Sequence, residues 1–362
     1  MPLRTVSGSH AAPRKGRGAT SNPEGRFESV TREACDDGWD RGDDETQPLA
    51  TIVTEERAKS IITRNDSPDI PFTQSINPYR GCEHGCVYCY ARPSHAYLNL
   101  SPGLDFETRL FAKVNAAELL RAELAKPGYR CDAISLGTNT DPYQPIEREY
   151  RITRSILEVL AEHDHPVAIV TKNAMVERDI DLLAPMAQRR LARVYLSIAT
   201  LDHEVSRPME PRTSAPRRRL EAIRRLAAAG IPTGVVVAPV VPFLTDHDIE
   251  HVLEAAADAG AAYADYVLLR LPFEVKTLFE DWLDARFPLK AAHVMSRVRA
   301  MREGRENDPE FGSRMKGTGH FAKLLAQRFE LACARLGLNR DRAPLDTTRF
   351  RPARTTPQLD LF

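Results

Sequence analysis

Apolar and polar positions follow two different periods along this chain. From about residue 73, short runs of aliphatic and β-branched residues are followed by longer stretches in which apolar residues recur at helical spacing. We predict strands at 74–77, 133–136, 167–171, 194–198, 234–238 and 266–271. Because helical stretches connect these strands, the six should run parallel, either in an open doubly wound sheet or in a curved partial barrel. The pattern therefore predicts an α/β fold, and periodicity alone leaves both architectures open.

The same pattern divides the chain into regions. Residues 1–48 show almost no aliphatic periodicity and bury too little apolar surface to offset the entropy of ordering, so we expect a flexible N-terminal arm. Residues 49–288 hold the strand–helix units. After residue 288 the strand patterns stop, and helical patterns at 291–302 and 321–336 predict a small helical C-terminal appendage, 289–350. Residues 351–362 are expected to form a flexible tail.

Composition narrows the class of protein. The 362 residues include 50 Lys and Arg and 50 Asp and Glu, and the resulting formal charge of zero excludes a uniformly basic nucleic-acid coat. No apolar run approaches the roughly 18 residues of a membrane span, and the first residues lack an apolar signal sequence, so we expect a cytoplasmic protein with no membrane partner. Residues 312–354, the basic C-terminal region, carry ten Lys and Arg against three acids. Both a solvated face and a phosphate-contacting surface remain open for it.

Three of the six cysteines are crowded into one short segment. Cys82, Cys86 and Cys89 follow the first predicted strand in a C-x3-C-x2-C spacing, whereas the other cysteines are isolated. Three thiolates on one loop can bind a common metal centre. A structural zinc would need a fourth ligand, which His84 or His95 could supply. A 4Fe-4S cluster bound by three cysteines would instead keep one iron open to an external ligand.

The segment N-P-Y-R-G-C-E-H-G-C-V-Y-C-Y resembles the radical SAM superfamily, whose signature is this spacing with an aromatic residue, here Tyr88, before the last cysteine. The resemblance spans roughly residues 70–300. It implies a partial (β/α)6 TIM-type barrel, a 4Fe-4S cluster on Cys82, Cys86 and Cys89, and S-adenosylmethionine bound to the open iron. It further implies reductive cleavage to a 5′-deoxyadenosyl radical, with a reducing partner such as flavodoxin or ferredoxin.

Within that superfamily, C-V-Y-C-Y and the segment S-L-G-T-N-T-D-P-Y-Q-P-I-E look like the branch containing spore photoproduct lyase, a DNA-repair-photolyase-like group. The resemblance implies that Tyr88 lies near the adenine and that Tyr88 and Tyr90 are candidate catalytic residues. The remaining implied cofactor-binding residues are Asn139, Thr140, Asp141, Lys172 and Ser197. An ordinary structural role stays open for each: packing for the tyrosines, a turn for the Asp-Pro pair, surface charge for the lysine.

The sequence departs from that branch at Thr138. Spore photoproduct lyase uses a cysteine near the end of the second strand to return a hydrogen atom to the product radical, and a threonine O–H bond is too strong for that task. We therefore expect a lyase-like radical SAM enzyme that acts on DNA by a reaction other than spore photoproduct cleavage. The alternatives are modification of RNA, protein or a metabolite, and, from another class, a non-catalytic zinc-stabilised nucleic-acid-binding module.

Two further features bear on partners. Arg270 is expected at the end of the sixth strand, facing the barrel mouth, where it would hold a phosphate or carboxylate or form a salt bridge inside the barrel. The chain ends in Q-L-D-L-F, which resembles the short motif by which bacterial DNA polymerases and repair proteins bind the sliding clamp. That resemblance implies a clamp partner bound through Gln358, Leu359, Asp360, Leu361 and Phe362.

Overall fold

The computed structural model describes residues 14–27 and 49–352. The strands are β1 (Ile52–Glu56), β2 (Ile62–Arg64), β3 (Gln74–Ile76), β4 (Tyr79–Arg80), β5 (Arg109–Lys113), β6 (Ile134–Leu136), β7 (Val167–Thr171), β8 (Ala192–Ser197), β9 (Thr233–Val240) and β10 (Tyr263–Leu268). The helices are α1 (Leu104–Thr108), α2 (Ala116–Leu124), α3 (Glu147–Tyr150), α4 (Ile152–Glu162), α5 (Ile180–Gln188), α6 (His203–Met209), α7 (Pro216–Ala228), α8 (Ile249–Asp258), α9 (Val275–Arg286), α10 (Pro288–Ala300) and α11 (Gly319–Leu336). Short 3-10 helices occupy Arg92–Leu98, Ala174–Asp179 and Asp246–Asp248.

The main sheet has seven strands in the order β2-β3-β6-β7-β8-β9-β10. Strands β3, β6, β7, β8, β9 and β10 pair in parallel, and β2 adds an antiparallel edge to β3. Strands β2 and β10 end the sheet without pairing with each other, so the barrel is open. This confirms the predicted partial (β/α)6 barrel, and each of the six predicted strands overlaps a parallel strand.

The helices between these strands bury one face against the sheet. In α4 four apolar side chains at helical spacing, Ile156, Leu157, Val159 and Leu160, have no exposed surface. They join a core that runs from β3 to β10 and includes Val167, Ile169 and Val235. Burial on this scale contributes about 25 cal/mol per Å² of apolar surface, so the sheet and its helices form a rigid support for the loops at the strand ends.

A second, three-stranded sheet has the order β1-β5-β4. The sequence did not reveal it, because β1 is mostly exposed and β4 has two residues. Strand β4 pairs antiparallel with β5 and is followed directly by Gly81 and Cys82. The small sheet therefore fixes where the cysteine segment begins.

The C-terminal helices α10 and α11 lie close to the predicted 291–302 and 321–336. The basic C-terminal region is largely paired with acids: the ion pairs are Arg314–Asp69, Lys316–Asp265, Arg328–Glu250, Arg335–Glu254, Arg349–Asp346 and Arg351–Asp164. Most of the partners belong to the barrel, so these charges attach the region to the barrel. For these paired residues, the structure favours contact with the barrel over contact with phosphate.

Two of the expected regions lie partly outside the described residues. Residues 14–27, within the segment expected to be a flexible arm, pack against the domain, and Arg17, Ala19 and Thr20 are buried. The five residues of the expected clamp motif lie outside the described part of the chain, so the clamp partner stays a prediction. Within the described residues, no helix combines the length and apolar character needed to cross a membrane.

Candidate radical SAM site

The three clustered cysteines lie on one loop, residues 81–90, which we call the cluster loop. Cys82 and Cys86 are buried and Cys89 is partly buried. Burial raises the pKa of all three thiols, and for Cys82 the neighbouring Asp141, Cys86 and Cys89 raise the pKa further. The three thiols are therefore close enough to one another to interact electrostatically, as the ligands of one cluster must be. A cationic iron-sulfur cluster fits there, since it would replace the thiol protons and offset the cost of burying thiolates.

Two glycines allow the cluster loop to turn. Gly81 and Gly85 have φ values of +71° and +68°, which L side chains rarely adopt. A Cβ atom on Gly81 would lie 2.9 Å from the carbonyl oxygen of Phe106, and one on Gly85 would lie 2.8 Å from Oε2 of Glu107. Both positions therefore need glycine for conformation and for space.

Arg92 holds the cluster loop through hydrogen bonds to its backbone. This role was not predicted from the sequence. The guanidinium of Arg92, which has no exposed surface, donates hydrogen bonds to the carbonyls of Gly85 (3.2 Å) and Cys86 (2.9 Å). The same group forms a fully buried ion pair with Glu107. The signal in the sequence was a single arginine directly after the uncharged run 85–91. A buried charge is stable here because it is both paired and hydrogen-bonded.

Residues 14–27 form an N-terminal strap over this loop. The backbone amides of Gly18 and Ala19 donate to the two carboxylate oxygens of Glu107, at 3.0 and 2.8 Å. A Cβ atom on Gly18 would lie 1.8 Å from the carbonyl oxygen of Gly85, so the two backbones are in direct contact. Glu107 therefore joins the strap to Arg92 and, through it, to the cluster loop.

The segment after β6 also holds the cluster loop. The Gln144 amide donates to the carbonyl of Gly81 (3.1 Å) and accepts from the backbone N–H of Glu83 (2.9 Å). Asp141 lies 3.4 Å from Nδ1 of His84 and accepts hydrogen bonds from Thr171 and from the Lys172 backbone. Although burial opposes ionisation, His84 and these donors lower the pKa of Asp141 to about 2. Asp141 is thus an ionised carboxylate whose oxygens are already engaged by the protein.

Three of the four ring nitrogens of the histidines considered as zinc ligands contact other groups. The ring nitrogens of His84 face Asp141 (3.4 Å) and the side-chain amide of Asn173 (3.3 Å). Nε2 of His95 lies 2.9 Å from the carbonyl oxygen of Arg109. In the described part of the chain, no three His, Cys, Asp or Glu side chains form a ligand set for a single metal ion. The described residues therefore provide no complete ligand set for the zinc alternative.

The other expected cofactor-binding residues fall into two groups. Lys172 and Ser197, from neighbouring strand ends, are in contact, with Nζ of Lys172 2.9 Å from Oγ of Ser197. Thr140 is buried and its hydroxyl donates to the carbonyl of Tyr79. The backbone N–H of Asn139 donates to Asn77 (3.0 Å), and its side-chain amide has no hydrogen bond to any described residue. Asn139 and Lys172 thus present groups that can bind a ligand, whereas Thr140 and Asp141 support the loops.

The two candidate tyrosines differ in access. The Tyr88 ring is buried, and its hydroxyl donates to Glu210, which is also paired with the buried guanidinium of Arg219. Tyr90 is 48% exposed, and its hydroxyl donates to the carbonyl of Thr138 at the end of β6. Tyr90 can therefore touch a substrate at the open end of the barrel. Tyr88 is held inside, with the Lys172 ammonium 5.9 Å from its ring centre.

Comparisons with known proteins show the family of this chain. The radical SAM superfamily model matches residues 76–256. An uncharacterized protein of Mycobacterium tuberculosis is 40% identical over 234 residues, which are 64% of this chain and 68% of that protein. The radical SAM Nalpha-GlyT isomerase of Pseudomonas phage M6 is 28% identical over 194 residues, 52% of this chain and 38% of the phage protein.

The fold is shared with a solved enzyme. Spore photoproduct lyase complexed with dinucleoside spore photoproduct superposes with a TM-score of 0.58 over 79% of this chain and 80% of that one, at 18% identity. Identity this low establishes the fold and no more. The family model, by contrast, covers half of the sequence and includes the cluster loop. The chain belongs to the radical SAM superfamily, whose cofactors are a 4Fe-4S cluster and S-adenosylmethionine.

Proposed function

We propose that this radical SAM enzyme acts on nucleic acid, with DNA as its substrate. In this proposal Cys82, Cys86 and Cys89 would hold the 4Fe-4S cluster, and S-adenosylmethionine would bind next to it. When bound, these cofactors supply a 5′-deoxyadenosyl radical that removes a hydrogen atom from the substrate. The protein has to provide the electron through a reducing partner, orient the cofactor, and place one substrate carbon near the cluster loop.

Lys172, Ser197 and Asn139 are the residues we assign to S-adenosylmethionine. The Lys172 ammonium has no ion pair with a described carboxylate, so it is available to the methionyl carboxylate, and Ser197 fixes its direction. The free amide of Asn139 lies on the neighbouring strand end and can bind the amine or carboxylate. Tyr88 packs beside the cofactor. Asp141 acts as a positioning residue by holding the strand-end loop against His84 of the cluster loop, and Thr140 does so by holding the same loop against β4.

The exposed ring of Tyr90 is the observation that supports nucleic acid as the substrate. It directly follows the last cluster-loop cysteine and lies at the carboxyl ends of the strands, where ligands of such barrels bind. An aromatic face in that place can stack on a base that has been taken out of the helix. Spore photoproduct lyase, which shares the fold, has been solved with a dinucleoside lesion.

Thr138 separates the proposed reaction from spore photoproduct cleavage. Its side chain lies at the end of β6 about hydrogen-bond distance from Asn77, and its carbonyl accepts from Tyr90. Cys131 precedes β6 and so lies at the opposite end of the strand, away from Tyr90. No described thiol besides the cluster-loop cysteines follows a barrel strand at the mouth. We therefore propose that hydrogen returns to the product from a donor other than the described cysteines.

The test uses anaerobically reconstituted protein with reductant and S-adenosylmethionine. Ultraviolet-damaged duplex DNA, undamaged duplex, RNA of the same sequence and buffer alone are compared for 5′-deoxyadenosine formation. We expect damaged DNA to stimulate formation above buffer alone, and we expect deuterium to move from deuterated DNA into 5′-deoxyadenosine. Stimulation by RNA and not by DNA would overturn the DNA assignment. Tyr90→Ala should remove the stimulation and keep the basal rate.

A further inference from the structure

Arg270 is a half-buried cation beside the candidate site. It follows β10 by two residues, and its guanidinium carbon lies 5.4 Å from the centre of the Tyr90 ring. Nη1 contacts the sulfur of Met315 at 3.7 Å, and Nε is buried without a hydrogen-bond partner in the described residues. Among the described residues no carboxylate forms an ion pair with Arg270. The salt bridge inside the barrel that the sequence left open is therefore not formed with any described residue.

The neighbouring arginines are satisfied, which sets Arg270 apart. Arg314 forms two hydrogen bonds with the carboxylate of Asp69, at 2.5 and 2.6 Å. The buried guanidinium of Arg302 donates to the carbonyls of Leu269 (2.7 Å) and Arg314 (2.9 Å). Burial, with a smaller contribution from Arg314, lowers the pKa of Arg270. A cation that is partly desolvated and repelled by a neighbour lacks the partner that buried charges normally have.

We propose that Arg270 is an oxyanion subsite of the substrate, and that it binds one phosphodiester or carboxylate group beside the Tyr90 ring. This subsite depends on the proposed function, which places the substrate at the carboxyl ends of the barrel strands. The free Nε–H and a terminal N–H form a fork that matches two oxygens of such a group. A substrate anchored there would place its ring against Tyr90, next to Cys89. The subsite thus determines which part of the substrate faces the cluster loop.

A phosphodiester and a carboxylate both offer two oxygens and a negative charge to the guanidinium. Three dinucleoside probes distinguish which of the two groups Arg270 binds. The probes are thymidylyl-thymidine, its methylphosphonate analogue with a neutral link, and that neutral analogue with 5-carboxyuracil as one base. Binding to the reconstituted holoenzyme with S-adenosylmethionine is measured anaerobically at several salt concentrations. If the source is a phosphodiester, the neutral link weakens binding by about 10- to 100-fold, the loss typical of a charged hydrogen bond. If it is a carboxylate, the third probe binds that much more tightly than the second.

The variants are Arg270→Met, which keeps the length, and Arg270→Lys, which keeps the charge without the fork. Arg217→Met, an exposed arginine on α7, is the matched control. Arg270→Met should lose the discrimination between charged and neutral probes, and for a phosphodiester its binding should depend less on salt concentration than that of the native protein. Arg270→Lys should retain part of the discrimination between charged and neutral probes, and the control variant should retain all of it.

Three results would overturn the subsite: equal binding of all three probes by the native protein, binding of none of them, or unchanged discrimination in Arg270→Met. Formation of 5′-deoxyadenosine with ultraviolet-damaged duplex DNA is measured in parallel. If the native protein forms none, the proposed function fails. If it forms 5′-deoxyadenosine and the probes bind alike, the subsite alone fails. Comparison of the probes on native protein needs no variant, so misfolding of a variant does not prevent a decision.

Discussion

Replacing Gln144 by Met tests whether the segment after β6 holds the cluster loop. The side chain of Gln144 has no exposed surface, and its amide bonds both the carbonyl of Gly81 and the N–H of Glu83. Methionine has a similar volume, so the change removes two hydrogen bonds without opening a large cavity. Each backbone group left unpaired costs about 1–3 kcal/mol, so we expect a loss of about 2–6 kcal/mol, much of the total for a typical domain.

The assay has two parts. Urea unfolding of the metal-free, reduced protein gives the free energy of unfolding, and the loss of visible absorbance in a chelator gives the rate of iron release from reconstituted protein. We expect Gln144→Met to lower the first and to speed the second. Gln188→Met, at the exposed end of α5, is the control and should change neither. An unfolding free energy within about 0.5 kcal/mol of the native value, together with native iron release, would refute the reasoning.

The remaining predictions concern the cluster, the cofactor and the strap. Replacing any one of the three cluster-loop cysteines by Ala should abolish the iron content of reconstituted protein, whereas Cys333→Ala should leave it unchanged; equal iron in both would move the metal site elsewhere. Lys172→Met should weaken S-adenosylmethionine binding by about 1.5–3 kcal/mol at unchanged iron content, with exposed Lys126→Met as control, and native affinity in calorimetry would contradict the assignment. Gly18→Val should displace the strap, because its side chain would collide with the cluster loop. Hydrogen exchange in residues 82–89 should rise, whereas Glu24→Val, at an exposed strap position, should show native exchange; protection equal to native in Gly18→Val would mean that the strap does not cover the loop.

The parallel strands were predictable because they are buried. Strand β7 has the predicted bounds, since its apolar run begins and ends with the sheet. Strand β10 begins three residues before the predicted start and ends at Leu268. The apolar residues Leu269 and Leu271, with Arg270 between them, follow after the chain has left the sheet. A run of apolar residues shows that a segment is buried, and it does not show where its hydrogen bonding stops.

Only the part of the site whose residues lie close together in the sequence was predictable. The cysteine spacing lies within eight residues, so the metal-binding loop could be recognised from it. The contacts that hold this loop join distant residues: the amide of Gly18 and the carboxylate of Glu107 are 89 residues apart, and Gln144 is 61 residues from Glu83. Only the fold brings such groups together. For the same reason the sequence could not show that the Asp141 carboxylate is already bound by His84 and by the backbone N–H of Lys172.

The most direct test of the central claim is cleavage of S-adenosylmethionine. The native protein and Cys86→Ala are reconstituted anaerobically with iron and sulfide, reduced, supplied with S-adenosylmethionine, and analysed for 5′-deoxyadenosine. We predict 5′-deoxyadenosine from the native protein and none from the variant. Native protein that carries its full iron complement and forms no 5′-deoxyadenosine, or a variant that forms as much as native protein, would contradict the account.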